Sequence, residues 1–172
     1  MRRSITRRIT ITRISNPEID HPMSSEELKT LYRRMFNEIN NVSFAGKLEP
    51  IQIEHATPDM AEHDSSTRAC FCYDTDSKEE PIIYLGFKSM RDDGVIFGVS
   101  VGDIQDLYHE MIHYYCYLHD ISDVNPAGHY HNKHFKEEAE KHGGICSYTD
   151  AQVGYSDAVL PEKTAWTILN AI

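Results

Sequence analysis

The stretch LYHEMIHYYCYLHD, residues 107–120, decides how this chain folds around its most distinctive residues. It belongs to a longer segment, 100–120, in which apolar side chains recur every three or four residues, the spacing of one helix face. Ser100 followed by Asp103 is a favourable start for such a helix. The pattern predicts an amphipathic helix with a core face made of Ile104, Leu107, Tyr108, Met111, Ile112, Tyr115 and Leu118.

Two histidines and a glutamate lie on this predicted helix. At about 100° per residue, His109 and His113 are roughly 40° apart on one face, so both imidazoles can reach a single ion. Glu110 is rotated by about 100° from His109, where a carboxylate can take a proton from a metal-bound water. The spacing is therefore typical of a zinc site with a catalytic glutamate, and Zn2+ is the expected cofactor.

A catalytic zinc site needs a third protein ligand and an open fourth position. The segment AGHYHNKHF, at the start of a further predicted helix (131–142), offers three more histidines. The residues alone leave the choice among His129, His131 and His134 open.

Two other side chains of the helix lie near the expected site. Asp106, three residues before His109, is a candidate to orient a ligand imidazole, with a solvated acid at the start of the helix as the alternative. Cys116 is about 20° off the face of His109 and is expected to be a packed thiol.

The rest of the chain predicts an α+β fold. The segment 24–40 has the periodicity of an amphipathic helix, and Ser24 with Glu27 forms a capping box at its start. Short apolar or alternating runs predict strands, and the C-terminal tail, about 145–172, has one short helical pattern. These runs are IQIEH (51–55), RACFCY (68–73), PIIYLGF (81–87) and, for the helix, TAWTILN (164–170).

Two cysteines of the second strand run are two residues apart. Cys70 and Cys72 therefore face the same side of the strand. We interpret them as small, half-buried core residues in preference to metal ligands.

Charge divides the chain into a basic arm, 1–22, and an acidic domain, 23–172. Residues 1–15 hold five arginines and no acid, and taking these away from the net charge of −10 leaves −15 for residues 16–172. Lysines and arginines bind the phosphate backbone of nucleic acids. If this chain contacts nucleic acid, we therefore expect the contact to be made through the basic arm alone.

No apolar run reaches the roughly 18 residues that a membrane span requires, and no signal segment is recognised. With four cysteines and no CxxC pair, an intracellular setting, cytoplasmic or nucleoid/nuclear, is expected, while the oligomeric state stays open.

Three phrases in order, LYRRMFNEINNVSFAGKL (31–48), HEMIH (109–113) and HNKHF (131–135), resemble the SprT-like (Spartan-type) zinc metallopeptidase domain over about residues 25–143. The resemblance implies a zincin-like core: an N-terminal helix, a small, mainly antiparallel sheet, the HExxH helix and a following ligand helix. The family usually has glycine where this chain has Asn132. Many members also have a C-terminal zinc ribbon, which is not expected in these 172 residues because Cys146 is the only cysteine after the site.

The resemblance also implies roles for individual residues. His109 and His113 are zinc ligands and Glu110 is the catalytic acid/base. The third ligand matches His131, with Phe135 packing one turn on and His129 as the alternative.

The expected function is that of a zinc-dependent endopeptidase acting on a protein substrate, for which a DNA-associated protein is a candidate. The alternative is a catalytically silent, zinc-stabilised module that binds protein or nucleic acid. A peptide substrate is expected to add as a strand along PIIYLGF. The candidates for a donor to the developing oxyanion are Tyr114, Tyr117 and Tyr130, although aromatic packing is the preferred interpretation for each of them singly.

Overall fold

The computed structural model describes residues 23–56, 68–74, 80–86 and 98–172, so the expected basic arm lies outside the described residues. The predicted α+β class is confirmed, and all four predicted helices and three predicted strands are present. The elements are α1 (Ser25–Ser43), β1 (Gln52–His55), β2 (Ala69–Cys72), β3 (Ile82–Leu85), α2 (Val101–Leu118), α3 (Lys133–Lys141), β4 (Ile145–Ser147), β5 (Asp157–Val159) and α4 (Glu162–Ala171).

Helix α1 begins at the predicted capping box. The Glu27 carboxylate accepts from the Ser24 amide at 2.8 Å, and the Ser24 hydroxyl accepts from the Glu27 amide at 3.3 Å. Near the end of the helix, the buried Asn40 side chain pairs with both backbone groups of Leu48, at 2.9 and 3.1 Å. These two bonds close the loop that carries the FAGKL phrase. The core face of α1 is Leu28, Tyr32, Met35, Phe36 and Ile39.

The three-stranded sheet has the order β1-β3-β2 and is mixed. Strand β3 pairs in parallel with β1 and antiparallel with β2, which corrects the expectation of a mainly antiparallel sheet. Since β3 contains most of PIIYLGF and is hydrogen-bonded on both sides, the expected peptide-binding edge along it is also wrong. Across the described ranges, no strand pairs with the outer edge of β2.

Helix α2 packs against the sheet and against the other three helices. Its predicted core face is buried from Ile104 to Ile112, but Leu118 is 42% exposed because the helix ends there. Ser100 and Asp103 form a capping box at its start. The helix is thus fixed at its beginning and through its middle, where the motif lies.

The C-terminal tail is packed onto this core. Strands β4 and β5, which the sequence did not predict, form a two-stranded antiparallel sheet. Helix α4 follows and buries Ala165 and Ile168. The Gln105 side chain of α2 both donates to and accepts from the backbone of Leu160, at 2.9 and 2.6 Å, which ties the tail to the motif-bearing helix.

Across the described ranges, no helix combines the length and the apolar character that crossing a membrane would require.

Candidate metal centre

Three imidazoles from two parts of the chain converge on one point. His109 and His113 lie one turn apart on α2, and His131 comes from the segment just before α3. Their Nε2 atoms are 3.2 Å apart between His109 and His113, and 3.1 Å from each of these to His131. These three histidines lie close enough together to hold a metal ion.

The donor set fits zinc. Zn–N bonds of about 2.0–2.1 Å at tetrahedral angles place ligand nitrogens roughly 3.4 Å apart. The observed separations of 3.1–3.2 Å are shorter by only a few tenths of an ångström. Three histidines with an open cleft beside them also match the ligand count of catalytic zinc sites, whose fourth position is left for water or substrate.

Two acceptors fix which nitrogens face the centre. Asp123 accepts from His113 Nδ1 at 2.6 Å, and the Val153 carbonyl accepts from His131 Nδ1 at 3.1 Å. Since neither acceptor carries a proton to give, Nδ1 is the protonated nitrogen in each neutral ring. This orientation directs the Nε2 atoms of both rings at the centre, as in metal-binding histidines whose other ring nitrogen is hydrogen-bonded.

Burial keeps two of the rings neutral. Burial, together with the neighbouring His113, lowers the pKa of His131 to about 4. Burial also lowers the pKa of His109 well below its usual value, helped by His113, His131 and Arg68. A metal binds the neutral imidazole, so these shifts leave the ligands in the form that binding requires.

One aromatic ring supports all three imidazoles. Phe135 is fully buried, and its ring centroid is 4.6 Å from that of His131, 4.7 Å from His113 and 4.8 Å from His109. It lies in the first turn of α3, where the resemblance implied that it would pack. Asn132, in the position of the family's glycine, caps this helix by accepting from the His134 and Phe135 amides. Asparagine in place of the family's glycine therefore stabilises the start of α3.

The other candidate third ligands lie apart from the group. His129 is exposed and lines the neighbouring cleft, and His134 is exposed and contacts the Ser122 carbonyl at 3.0 Å. In the part of the chain that the structure describes, His109, His113 and His131 form the only cluster of three potential ligands.

The Glu110 side chain lies off the face of α2 that carries His109 and His113, and it contacts β2. It is 6% exposed, and its Oε2 accepts from the Phe71 amide at 2.8 Å. Burial raises the pKa of Glu110 to about 7, against the lowering effects of His113 and the Phe71 amide. A carboxyl group with a pKa near neutrality is suited to accept and return a proton.

A cleft of about 750 Å³ opens beside the three histidines and Glu110. Its walls include β2 on one side and the segment from Ile121 to His131 on the other. Of the three tyrosines proposed as oxyanion donors, Tyr117 lines the cleft, and Tyr114 is buried against Phe71. Tyr73, which the sequence did not single out, lines it too and packs on Tyr117 at 4.9 Å between ring centroids.

The remaining side chains singled out in the sequence have these positions. Asp106 forms an ion pair with Arg68 at 3.1 Å, and its orientation of a ligand imidazole stays a prediction. Cys116 is fully buried, as expected. Cys70 and Cys72 are half-buried, and their sulfur atoms are 2.9 Å apart on the same side of β2.

Two contacts at the centre had no place in the motif. The Asp123 carboxylate lies in the loop between the two ligand-bearing elements, ten residues after His113. The sequence signal that could have indicated this contact was the presence of an acidic residue in the connecting loop. The Val153 carbonyl had no signal, because a backbone oxygen is present at every residue.

Comparison with known proteins finds no relative: no family model matches the chain, and neither a curated protein nor a solved structure matches it significantly.

Proposed function

We propose that this protein is a zinc-dependent endopeptidase with a zincin-like core of the SprT-like type. The observation that carries the proposal is the convergence of His109, His113 and His131 beside the buried Glu110. The three histidines would hold the ion. Zinc bound there would supply a Lewis acid for the scissile carbonyl and an activated water.

Glu110 is the proton carrier of the proposed reaction. The Phe71 amide holds Oε2, so the carboxylate keeps a fixed orientation towards the cleft. With a pKa of about 7, Glu110 can take the proton of the attacking water and give it to the leaving amine. The protein substrate loses one peptide bond and gains one water.

The substrate main chain is proposed to bind along the outer edge of β2. In the antiparallel pair, Cys70 lies opposite Tyr84 and Phe71 opposite Ile83. Backbone groups of alternate residues point away from the partner strand, and the Phe71 amide, which reaches Glu110, is one of them. An extended peptide on this edge would therefore run beside the proton carrier, which supports β-strand addition as the binding mode.

The alternative of a catalytically silent zinc module is less well supported. Structural zinc sites are closed by four protein ligands, whereas this centre has three histidines and an open cleft. A purely structural site also has no use for a buried carboxylate beside it. Cleavage of a DNA-associated protein remains part of the proposal through the resemblance alone.

The test compares wild-type protein with Glu110→Gln, using zinc content and cleavage of fluorescently labelled, unfolded casein. Loss of a proton carrier is expected to lower the rate by about 10²- to 10⁴-fold while zinc binding stays near one ion per chain. Glu137→Gln makes the same chemical change at an exposed position of α3 and should cleave like wild type. Full activity of zinc-loaded Glu110→Gln would refute the proposed role, and zinc without cleavage in wild type would favour the silent module.

A further inference from the structure

We propose that the C-terminal turn of residues 149–155 is the positioning device for the third metal ligand, an inference that rests on the proposed metal site. This turn connects β4 to β5 and lies outside the stretch that resembles the SprT-like domain. One backbone oxygen makes the central contact. The Val153 carbonyl accepts from the His131 amide at 3.0 Å and from His131 Nδ1 at 3.1 Å. The same oxygen thus fixes the backbone of His131 and the orientation of its ring.

Gly154 allows the turn to approach His131 this closely. The Tyr155 amide donates to the His131 carbonyl at 3.0 Å, so the two segments are bonded on both sides of Gly154. A Cβ atom at residue 154 would lie 2.2 Å from the His131 carbonyl oxygen and 3.0 Å from the Tyr130 ring. Gly154 also has φ +67°, a conformation that favours glycine. A side chain here must push the turn away from the ligand.

Asp150 gives the turn its shape. Its Oδ1 accepts from the Gln152 amide at 2.8 Å and from the Val153 amide at 2.9 Å. The Gly154 amide donates to the Asp150 carbonyl at 2.9 Å. These bonds present the Val153 carbonyl to His131, although Asp150 itself is exposed and makes no contact with the imidazoles in the described hydrogen bonds.

The consequence is that zinc affinity depends on residues beyond α3. A carbonyl that holds Nδ1–H keeps Nε2 as the metal-binding nitrogen and makes the imidazole a better donor. Loss of such a partner typically weakens metal binding by 10- to 100-fold. His113 has the carboxylate of Asp123 for this purpose, and His131 has the turn.

The first experiment measures zinc affinity of the full chain by competition with a chromophoric chelator, with the Co2+ absorption spectrum as a second readout. Gly154→Ala is compared with Gly143→Ala, which also has a positive φ, +85°, but has nothing within 4 Å of the added Cβ. Gly154→Ala is expected to weaken zinc binding by about tenfold or more and to alter the Co2+ bands. Gly143→Ala should bind like wild type, although both lose stability.

Equal zinc affinity in Gly154→Ala and wild type would overturn the inference and leave the proposed metal site standing. Wild-type protein that binds no zinc would overturn both. These two failures are therefore distinguishable.

A second pair of variants decides the matter if Gly154→Ala does not fold. Asp150→Ala removes the acceptor for two amides of the turn, whereas Asp150→Asn removes the charge and keeps an oxygen in place. Asp150→Ala is expected to weaken zinc binding several-fold and Asp150→Asn to stay within about twofold of wild type. Equal weakening in both would assign the effect to charge and overturn the inference, as would wild-type affinity in both.

Discussion

The two parts of the candidate metal centre are built in different ways. His109 and His113 lie on one helix, where the backbone places their side chains one turn apart whatever the rest of the molecule does. His131 lies outside any helix. It forms isolated β-bridges with Val124 on one side and with Gly154 on the other. The first pair is a product of local geometry, and the third ligand is a product of contacts between distant segments.

The largest effect is expected from removing the third ligand. His131→Ala should weaken zinc binding by more than the roughly hundredfold that the loss of a supporting partner can cause, because a donor atom is lost. His129→Ala, a histidine exposed in the same cleft, should bind zinc like wild type. Chelator competition on both variants checks this. The reverse order would move the third ligand to His129.

Asp123→Ala tests whether a histidine of the helix also depends on a contact between distant segments, because it removes the Asp123 carboxylate from His113. His113 loses the acceptor of its Nδ1 proton, and zinc affinity is expected to fall by 10- to 100-fold. Asp157→Ala removes an exposed acid of β5 and serves as the control for lost charge. If the two variants bind zinc equally, the helix alone orients His113 and the carboxylate is dispensable.

In the zinc-free protein, the contribution of His131 to the stability should be lost as the pH falls from about 6.5 to about 4. The folded pKa of His131 is about 4 and its unfolded pKa about 6.5, so within this window only the unfolded chain takes up the proton. Above about 6.5 the ring is neutral in both states and the contribution is fully present. Urea unfolding of zinc-free wild type and His131→Gln at two pH values measures the difference. Identical pH dependence would show that His131 is not responsible.

The smallest effect is expected at Asn132. Its side chain caps α3, so Asn132→Ala should lower the free energy of unfolding by about 1 kcal/mol, whereas Asn132→Gly should lower it by only a few tenths. Zinc affinity should change little, because the carbonyl of Val153 and the ring of Phe135 still hold His131. Urea unfolding and chelator competition measure the two quantities. A large loss of zinc affinity in Asn132→Gly would mean that the cap also orients the ligand.

The division between local and distant contacts also explains what the sequence could predict. Helix α1 was foreseen with its capping box and helix α2 with its cap at Ser100, because hydrophobic periodicity and caps are local patterns. The pairing of the strands was not foreseen, because a short apolar run such as PIIYLGF contains no information about which strands will lie on either side of it. The consequence was that β3 was expected to offer a free edge, whereas it lies between β1 and β2 in the structure.

The same reasoning applies to the candidate site. The spacing of His109 and His113 predicted their convergence, and the resemblance singled out His131. Asp123 and Val153 escaped because their contacts join residues 10 and 22 positions apart through loops. No periodicity links such residues, so only the folded chain brings them together.

The position of Phe135 has a consequence for the speed of metal exchange. Its ring packs against all three imidazoles and is itself fully buried, so an ion bound there would be expected to enter and leave through the cleft. The cleft is also where a peptide would lie. In the proposed zinc peptidase, a bound peptide would obstruct this route, so zinc should pass to a chelator more slowly with the peptide than without it. The release rate would then report occupancy of the cleft without any cleavage.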